Sequence, residues 1–245
     1  MTRDELQQQC ELGQQELMRM NYVEAERILA AAERLAWDQR DFDTLSRLYM
    51  PLQETRRQIR IRCGEGDVAL DLFPPDPDAP MNAELILESF PFGQLLVAGW
   101  GSIDVAKEVR RLAHERGLYL ESLLGAVYRT TDEGLMIAIV PTEDAPVPES
   151  TELSRNDLWK ALPPNSLLLR SDELPHGVRR GATETFAEVA SLWERLHLPY
   201  LRDADAEPDP LRRIELYRRT ITIDYACELA HQKLSHTARE LARRK

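Results

Sequence analysis

Residues 12–35 read LGQQELMRMNYVEAERILAAAERL, and their pattern decides how the chain begins. Leu12, Leu17, Ile28, Leu29, Ala32 and Leu35 fall at helical spacings, and Asn21-Tyr22 interrupts them. Two apolar stripes of helical period separated by a short break predict two helices folded back as a hairpin. A third helix is expected over 41–62, where Phe42, Leu45, Leu48, Leu52 and Ile59 trace one face and Gly64 supplies the stop. Pro51 lacks an amide donor and is expected to kink or divide that helix.

Beyond this helical start, three stretches rich in Pro and acidic residues punctuate the chain, at 64–80 (with PPDPDAP), 141–150 (PTEDAPVPES) and 202–210 (with DADAEPDP). Such stretches read as loops or linkers. They divide the chain into helices over 1–63, an acidic linker over 64–82, a mixed α/β domain over 83–170 and C-terminal helices over 171–245. In the centre, 83–89 and 94–100 are short runs that read as strands separated by FPFG. Ile103, Ala106, Val109, Leu112 and Ala113 restore helical spacing over 102–116, with Ser102 as N-cap and Gly117 as stop. Strands are expected at 123–130 and 135–140, joined across TDEG, and at 166–170; residues 118–124 could instead be helical. An amphipathic helix over 182–198 buries Phe186, Val189, Ala190, Trp193 and Leu196, and helices over 210–223 and 225–243 complete the chain.

Bulk properties narrow the function classes. The 245 residues are 43% hydrophobic, enough to bury a sizeable core. With 31 Lys and Arg against 42 Asp and Glu, the net charge of -11 opposes general attraction to nucleic acid or anionic membranes. The exception is 211–245, where nine basic residues outnumber four acidic ones and could dock on an acidic surface. The longest apolar run, 135–140, ends at Pro141 and is far shorter than the roughly 20 residues of a membrane span. MTRDELQQQC has no apolar core of the secretory kind, so a cytoplasmic protein is expected. Cys10, Cys63 and Cys227 are odd in number and far apart, which predicts three reduced thiols, with neither a disulfide framework nor a zinc site. No cofactor is expected.

The N-terminal hairpin resembles tetratricopeptide repeats. Leu12-Gly13, Tyr22, Ala25, Leu29, Ala32 and Leu35 stand where that family has its Leu-Gly pair, its aromatic residue opening the second helix, its two contact alanines and its large residues. The C-terminal end is similar across a repeat junction: Tyr217, Ile221, Ile223 and Asp224 close one helix, and Ala230, His231 and Leu234 open the next. It departs from the pattern at Arg213 and Thr220, where alanines are usual, at Tyr225 in the place of Pro, and at Ser235 in the place of Gly. The resemblance covers about a third of the chain and does not recur over 83–170, so the expected fold is mixed α+β. Terminal tetratricopeptide-like antiparallel helices would pack around or beside a central small α/β domain. A repeat cannot bury its face alone, so the ends should pack on each other, on the centre or on a second copy. The resemblance implies a concave helical surface that binds peptides or proteins.

Candidate sites are of two kinds. Gly99-Trp100-Gly101-Ser102, between a strand and a helix, could offer amides to an anion, or be a structural turn. Asp104 at that helix start would repel an anion. Arg170, His176, Arg179 and Arg180, followed by Gly181 and a helix, form a second recipe for anion recognition, against the reading of a solvated loop. Arg56, Arg57, Arg60 and Arg62 form a basic tip on the third helix, and Arg212, Arg213, Arg218 and Arg219 another near the C-terminus. Either tip could grip an acidic partner or complement its own helix dipole. No local motif joins Ser102 or a Cys to His114, His176, His197, His231 or His236, and His231 and His236 are five apart rather than four. The expected function is a non-enzymatic interaction or adaptor protein, its partner a protein, a peptide or a second copy. The alternative is an anionic small-ligand-binding or enzymatic α/β centre supported by the helices.

Overall fold

A computed structural model describes residues 3–149, 152–180 and 183–244. The chain is α+β, and it divides into two compact units, one made of residues 1–61 and 197–245 and the other of 62–196.

The first unit is helical. It contains α1 (Arg3–Met18), α2 (Tyr22–Asp38), most of α3 (Phe42–Gly64), the second part of α7 (Thr183–Ala206), α8 (Pro210–Ile223) and α9 (Glu228–Ala242). Gly13 allows α1 and α2 to touch: a Cβ there would lie 2.6 Å from Leu29 Cδ2. Ala25, Leu29 and Ala32 are fully buried beside it, whereas Leu12 is 46% exposed and contributes little to the hairpin. Asp41 starts α3 by accepting from the Thr44 amide and hydroxyl. The helix then continues through Pro51 to Gly64, so the proline does not divide it. The two ends of the chain share one apolar core, in which Leu6, Cys10, Leu29, Leu45, Leu48 and Tyr49 join Leu201, Ile214, Tyr217, Leu234 and Ala238. Ser235, in the place of a small contact residue, is buried and donates to the Ser46 carbonyl at 2.6 Å.

The second unit is a sheet in the order β5-β4-β3-β2-β1-β6. Its elements are β1 (Asp67–Leu72), α4 (Ala83–Ser89), β2 (Gly93–Trp100), α5 (Asp104–Glu115), β3 (Leu120–Thr130), β4 (Gly134–Val140), α6 (Arg155–Ala161), β5 (Leu167–Arg170) and β6 (Arg179–Arg180). β1, β2 and β3 are parallel with α4 and α5 as crossovers, while β4, β5 and β6 pair antiparallel. Alternate residues Leu95, Val97, Leu124, Ala126, Met136 and Ala138 pack with Ala106, Val109, Leu112 and Leu158. The intervening Leu96, Leu123, Ile137 and Ile139 are buried as well, as the near-continuous apolar strands require. On that second side, Leu70 and Leu169 line a cavity with Ala187, Ser191 and Leu192 of α7.

Four sequence expectations change here. Residues 83–89 form a helix, because the Asn82 side chain accepts from the Glu84 and Leu85 amides and only Ala83 and Leu87, one turn apart, are buried. β1 lies inside the stretch expected to be a linker, with its Asp67–Ala69 end opposite Gly93–Leu95 of β2. α7 runs past Pro199 to Ala206, into the expected acidic loop. Ser102 precedes the N-cap residue Ile103 and satisfies the Asp104 amide through its hydroxyl at 3.1 Å. The expected helix start at Ala182, like Gly181 and Ser150, lies outside the described residues. Among the described residues, no helix is long and apolar enough to cross a membrane.

Candidate functional site

Three of the basic residues of the helical unit, Arg56, Arg60 and Arg218, turn inward. Arg60 donates to Asp224 Oδ1 at 2.8 Å and stacks over the Tyr225 ring, and Arg56 binds Glu26 at 2.9 Å beside the same ring. Arg218 reaches Glu33, which also accepts from the buried Tyr49 hydroxyl, and lies 4.0 Å over Trp37. These three guanidiniums, expected at a partner surface, are committed within the chain, because carboxylates more than 25 residues away in sequence fold onto them. Arg57 pairs with Glu54 and Arg62 with Glu65 within one turn, and Arg213 pairs with Glu240. Arg212 and Arg219 are exposed, the latter over Tyr200.

Asp224 organises a buried polar cluster in this unit. It sits between α8 and α9, 2% exposed, and its Oδ1 also accepts from the Ala226 amide. Its Oδ2 lies 2.7 Å from His197 Nδ1 of α7. Cys227, three residues on, occupies the N-cap of α9 and is also buried. One donor atom from each of His197, Asp224 and Cys227 lies within 4.8 Å of the others. Burial alone would lower the His197 pKa, but hydrogen bonds to Asp224 and Cys227 outweigh it and raise the value to about 9. Burial likewise opposes the Asp224 charge, yet Arg60 and His197 hold that carboxyl below its usual range. His231, fully buried with Nδ1 at the Cys227 carbonyl and Nε2 beside Arg56, is pushed down to about 3 by burial and by that guanidinium. The Cys, His and Asp set has the composition of a nucleophilic constellation, but a Cys227 that is 5% exposed offers a substrate no approach.

The anion candidates of the central unit are separated and neutralised. Arg179 lies opposite Val68, which lies opposite Gln94 at the start of β2, and Gly101-Ser102 follow Trp100 at its far end. Six residues of strand place about 20 Å between these levels. Arg180 makes two hydrogen bonds to Asp67, Arg179 pairs with Glu188, Arg170 with Asp172 and Glu173, and His176 lies 3.5 Å from Asp71. The Gly101 amide is spent on the Val127 carbonyl. The cavity of about 580 Å³ beside Gly101 and Ser102 is lined by Asp104, Glu143, Asp144 and Glu149, with Lys107 already on Asp104. The helical unit carries 19 basic and 19 acidic residues and the central unit 12 and 23, so the whole net charge of -11 belongs to the centre. That field repels anions.

A different groove, absent from the sequence reading, borders the sheet. β5 ends the strand order, and among the described residues no strand pairs with its outer edge. Beside it lies an open cavity of about 580 Å³, lined by Ser166, Leu167 and Leu168, by Arg155, Asn156 and Trp159 of α6, by Asp132 and Glu133 of the β3–β4 turn, and by Arg195 of α7. Trp159 is 55% exposed. Arg155 is occupied by Glu133 and its amide by Asp132, whereas Arg195 pairs with no described carboxylate. The signal for this site was Trp159 in the short helix RNDLWKA, next to the Leu158 that already supplies its buried contact. No family model, curated protein or solved structure matches the chain.

Proposed function

We propose that the protein is a non-enzymatic interaction protein that receives an extended segment of another polypeptide along the outer edge of β5. The observation that carries this reading is the unpaired edge of a four-residue strand opening onto a groove that holds an exposed tryptophan. An extended peptide satisfies the free amides and carbonyls of such an edge as an added strand, and side-chain pockets beside it supply specificity. Here Trp159 offers a flat apolar face and Arg195 a cation, so the favoured segment carries an apolar residue and a carboxylate near one another. The helical unit, with Arg56, Arg60 and Arg218 committed internally, supplies no contact to the segment in this reading.

The test is selection of extended peptides of random sequence on the full-length protein, followed by calorimetry on Trp159→Ala and Arg195→Glu. Selected peptides should bind Trp159→Ala at least about tenfold more weakly, as loss of an aromatic anchor implies. They should also protect amides of 167–170 from hydrogen exchange. Peptides that bind both variants as tightly as the parent, with 167–170 unprotected, would sink the proposal.

A further inference from the structure

We infer that His197, Asp224 and Cys227 form a binding site for a divalent transition-metal ion of the zinc class, joining α7 to the turn between α8 and α9. The three donor atoms lie within 4.8 Å of one another. Around a tetrahedral zinc with bonds of about 2.0–2.3 Å, donors are separated by about 3.3–3.8 Å. Reaching that arrangement requires the 2.7 Å His197–Asp224 contact to open by about 0.6 Å as the ion replaces the shared proton, and a separation at the 4.8 Å limit to close by about 1–1.5 Å.

The local construction favours this use. Asp224 and Cys227 are separated by two residues in a tight turn closed by the Cys227 amide on the Asp224 carbonyl at 3.0 Å, the spacing from which paired zinc ligands project to one side. Cys227 occupies an N-cap position, yet its side chain makes no capping hydrogen bond there. Ser, Thr, Asp or Asn would cap better, so helix initiation does not account for a cysteine at this position. The set of one thiolate, one imidazole and one carboxylate suits zinc or cobalt and excludes calcium and magnesium, which require oxygen. Arg60 on Asp224 Oδ1 and the Ala226 amide leave Oδ2 aimed at the site, the outer-shell support that orients metal-binding carboxylates. Nor does the Arg60 charge forbid an ion. Arg60 is already paired with Asp224 Oδ1, and a carboxylate and a thiolate ligand offset the charge of a divalent ion. Three protein donors leave the fourth position to water.

Cobalt(II) titration of the full-length, metal-stripped protein tests the site, because a cysteine thiolate bound to cobalt gives a charge-transfer band in the near ultraviolet. The expected result is one ion per chain, a thiolate band, and displacement of cobalt by zinc. Cys227→Ser should remove the band and weaken zinc binding at least about 100-fold, and the double variant Cys10→Ser/Cys63→Ser should retain both. Zinc should also raise the melting temperature of the parent protein and not of His197→Gln, a readout that holds even if that variant is less stable. Absence of stoichiometric binding by the parent, or a band that persists in Cys227→Ser, overturns the inference and leaves the cluster as a hydrogen-bonded clamp.

Discussion

Arg56 and Arg60 of the helical unit and Arg179 and Arg180 of the central unit look alike in the sequence, as short runs of arginine near helix ends or loops. Their fates differ. Arg60 is 13% exposed and its partner Asp224 2%, while Arg180 is 74% exposed beside an Asp67 at 16%. The first pair is sealed among α3, α7, α8 and α9, and the second lies on the two-residue edge strand β6. A guanidinium is a good buried partner because it is planar, weakly hydrated and always charged, so the helical unit uses arginine as internal cross-linking between its N- and C-terminal segments. At the sheet edge the same residue is a solvated charge that deters pairing with another strand.

The sharpest way to break this comparison is Arg60→Met. Removing one partner leaves the Asp224 carboxylate buried with only part of its support, which costs about 3–5 kcal/mol. Urea unfolding of the full chain, followed by the fluorescence of Trp37 in the helical unit, should show that loss. The double variant Arg60→Met/Asp224→Asn should recover a large share of it, since a neutral amide no longer needs the cation. If the double variant is as unstable as the single one, the pair is not the reason for the loss.

A second variant asks what limits the central unit, where ion pairs lie mostly at the surface. Gly93, which starts β2, has φ +147°, and a Cβ there would lie 1.9 Å from the Asp67 carbonyl oxygen. Gly93→Ala should therefore cost about 2–3 kcal/mol through backbone strain at the β1–β2 junction. Gly177→Ala, at φ +76° with nothing within 4 Å, should cost only about 1 kcal/mol. Equal effects at the two glycines would show that the close approach of β1 to β2 is not what demands Gly93.

These differences explain how far the sequence could be read. Helices with a full apolar stripe were legible: the expected 210–223 helix coincides with α8, and Gly13 with Ala25, Leu29 and Ala32 marks a real close contact. The strands at 94–100, 123–130 and 135–140 were legible because their apolar runs are bounded by Gly and Pro. Residues 83–89 misled because AELILES has the composition of a short strand, and one Asn82 cap outweighs it. β1 was hidden by the neighbouring PPDPDAP, and the two-residue β6 by having no pattern at all. The Asp224 cluster was illegible for another reason. His197 lies 27 residues before Asp224, on a helix whose apolar stripe gives no sign that its histidine meets the next turn. Sequence spacing finds ligands within one turn or helix; it does not find those that packing alone brings together.

The smallest effect sharpens the comparison from the other side. Arg180 donates two hydrogen bonds to Asp67, and these, against a slight opposing effect of burial, hold that carboxyl below its usual range. A carboxyl whose pKa is lower folded than unfolded stabilises the fold above its unfolded value, near pH 4, and that contribution fades as the pH falls further. Asp67→Asn should therefore lower stability slightly at pH 7, where the pair contributes in full, and flatten the acid limb so that variant and parent converge as the pH falls below about 4. Because Arg180 is open to solvent, even that small difference at pH 7 should vanish in 1 M salt, where the screening length is about 3 Å. The Arg60–Asp224 pair, sealed from solvent, should hold its contribution at the same ionic strength. Were the two pairs to respond alike to salt, burial would not be what separates the arginines of the helical unit from those of the sheet edge.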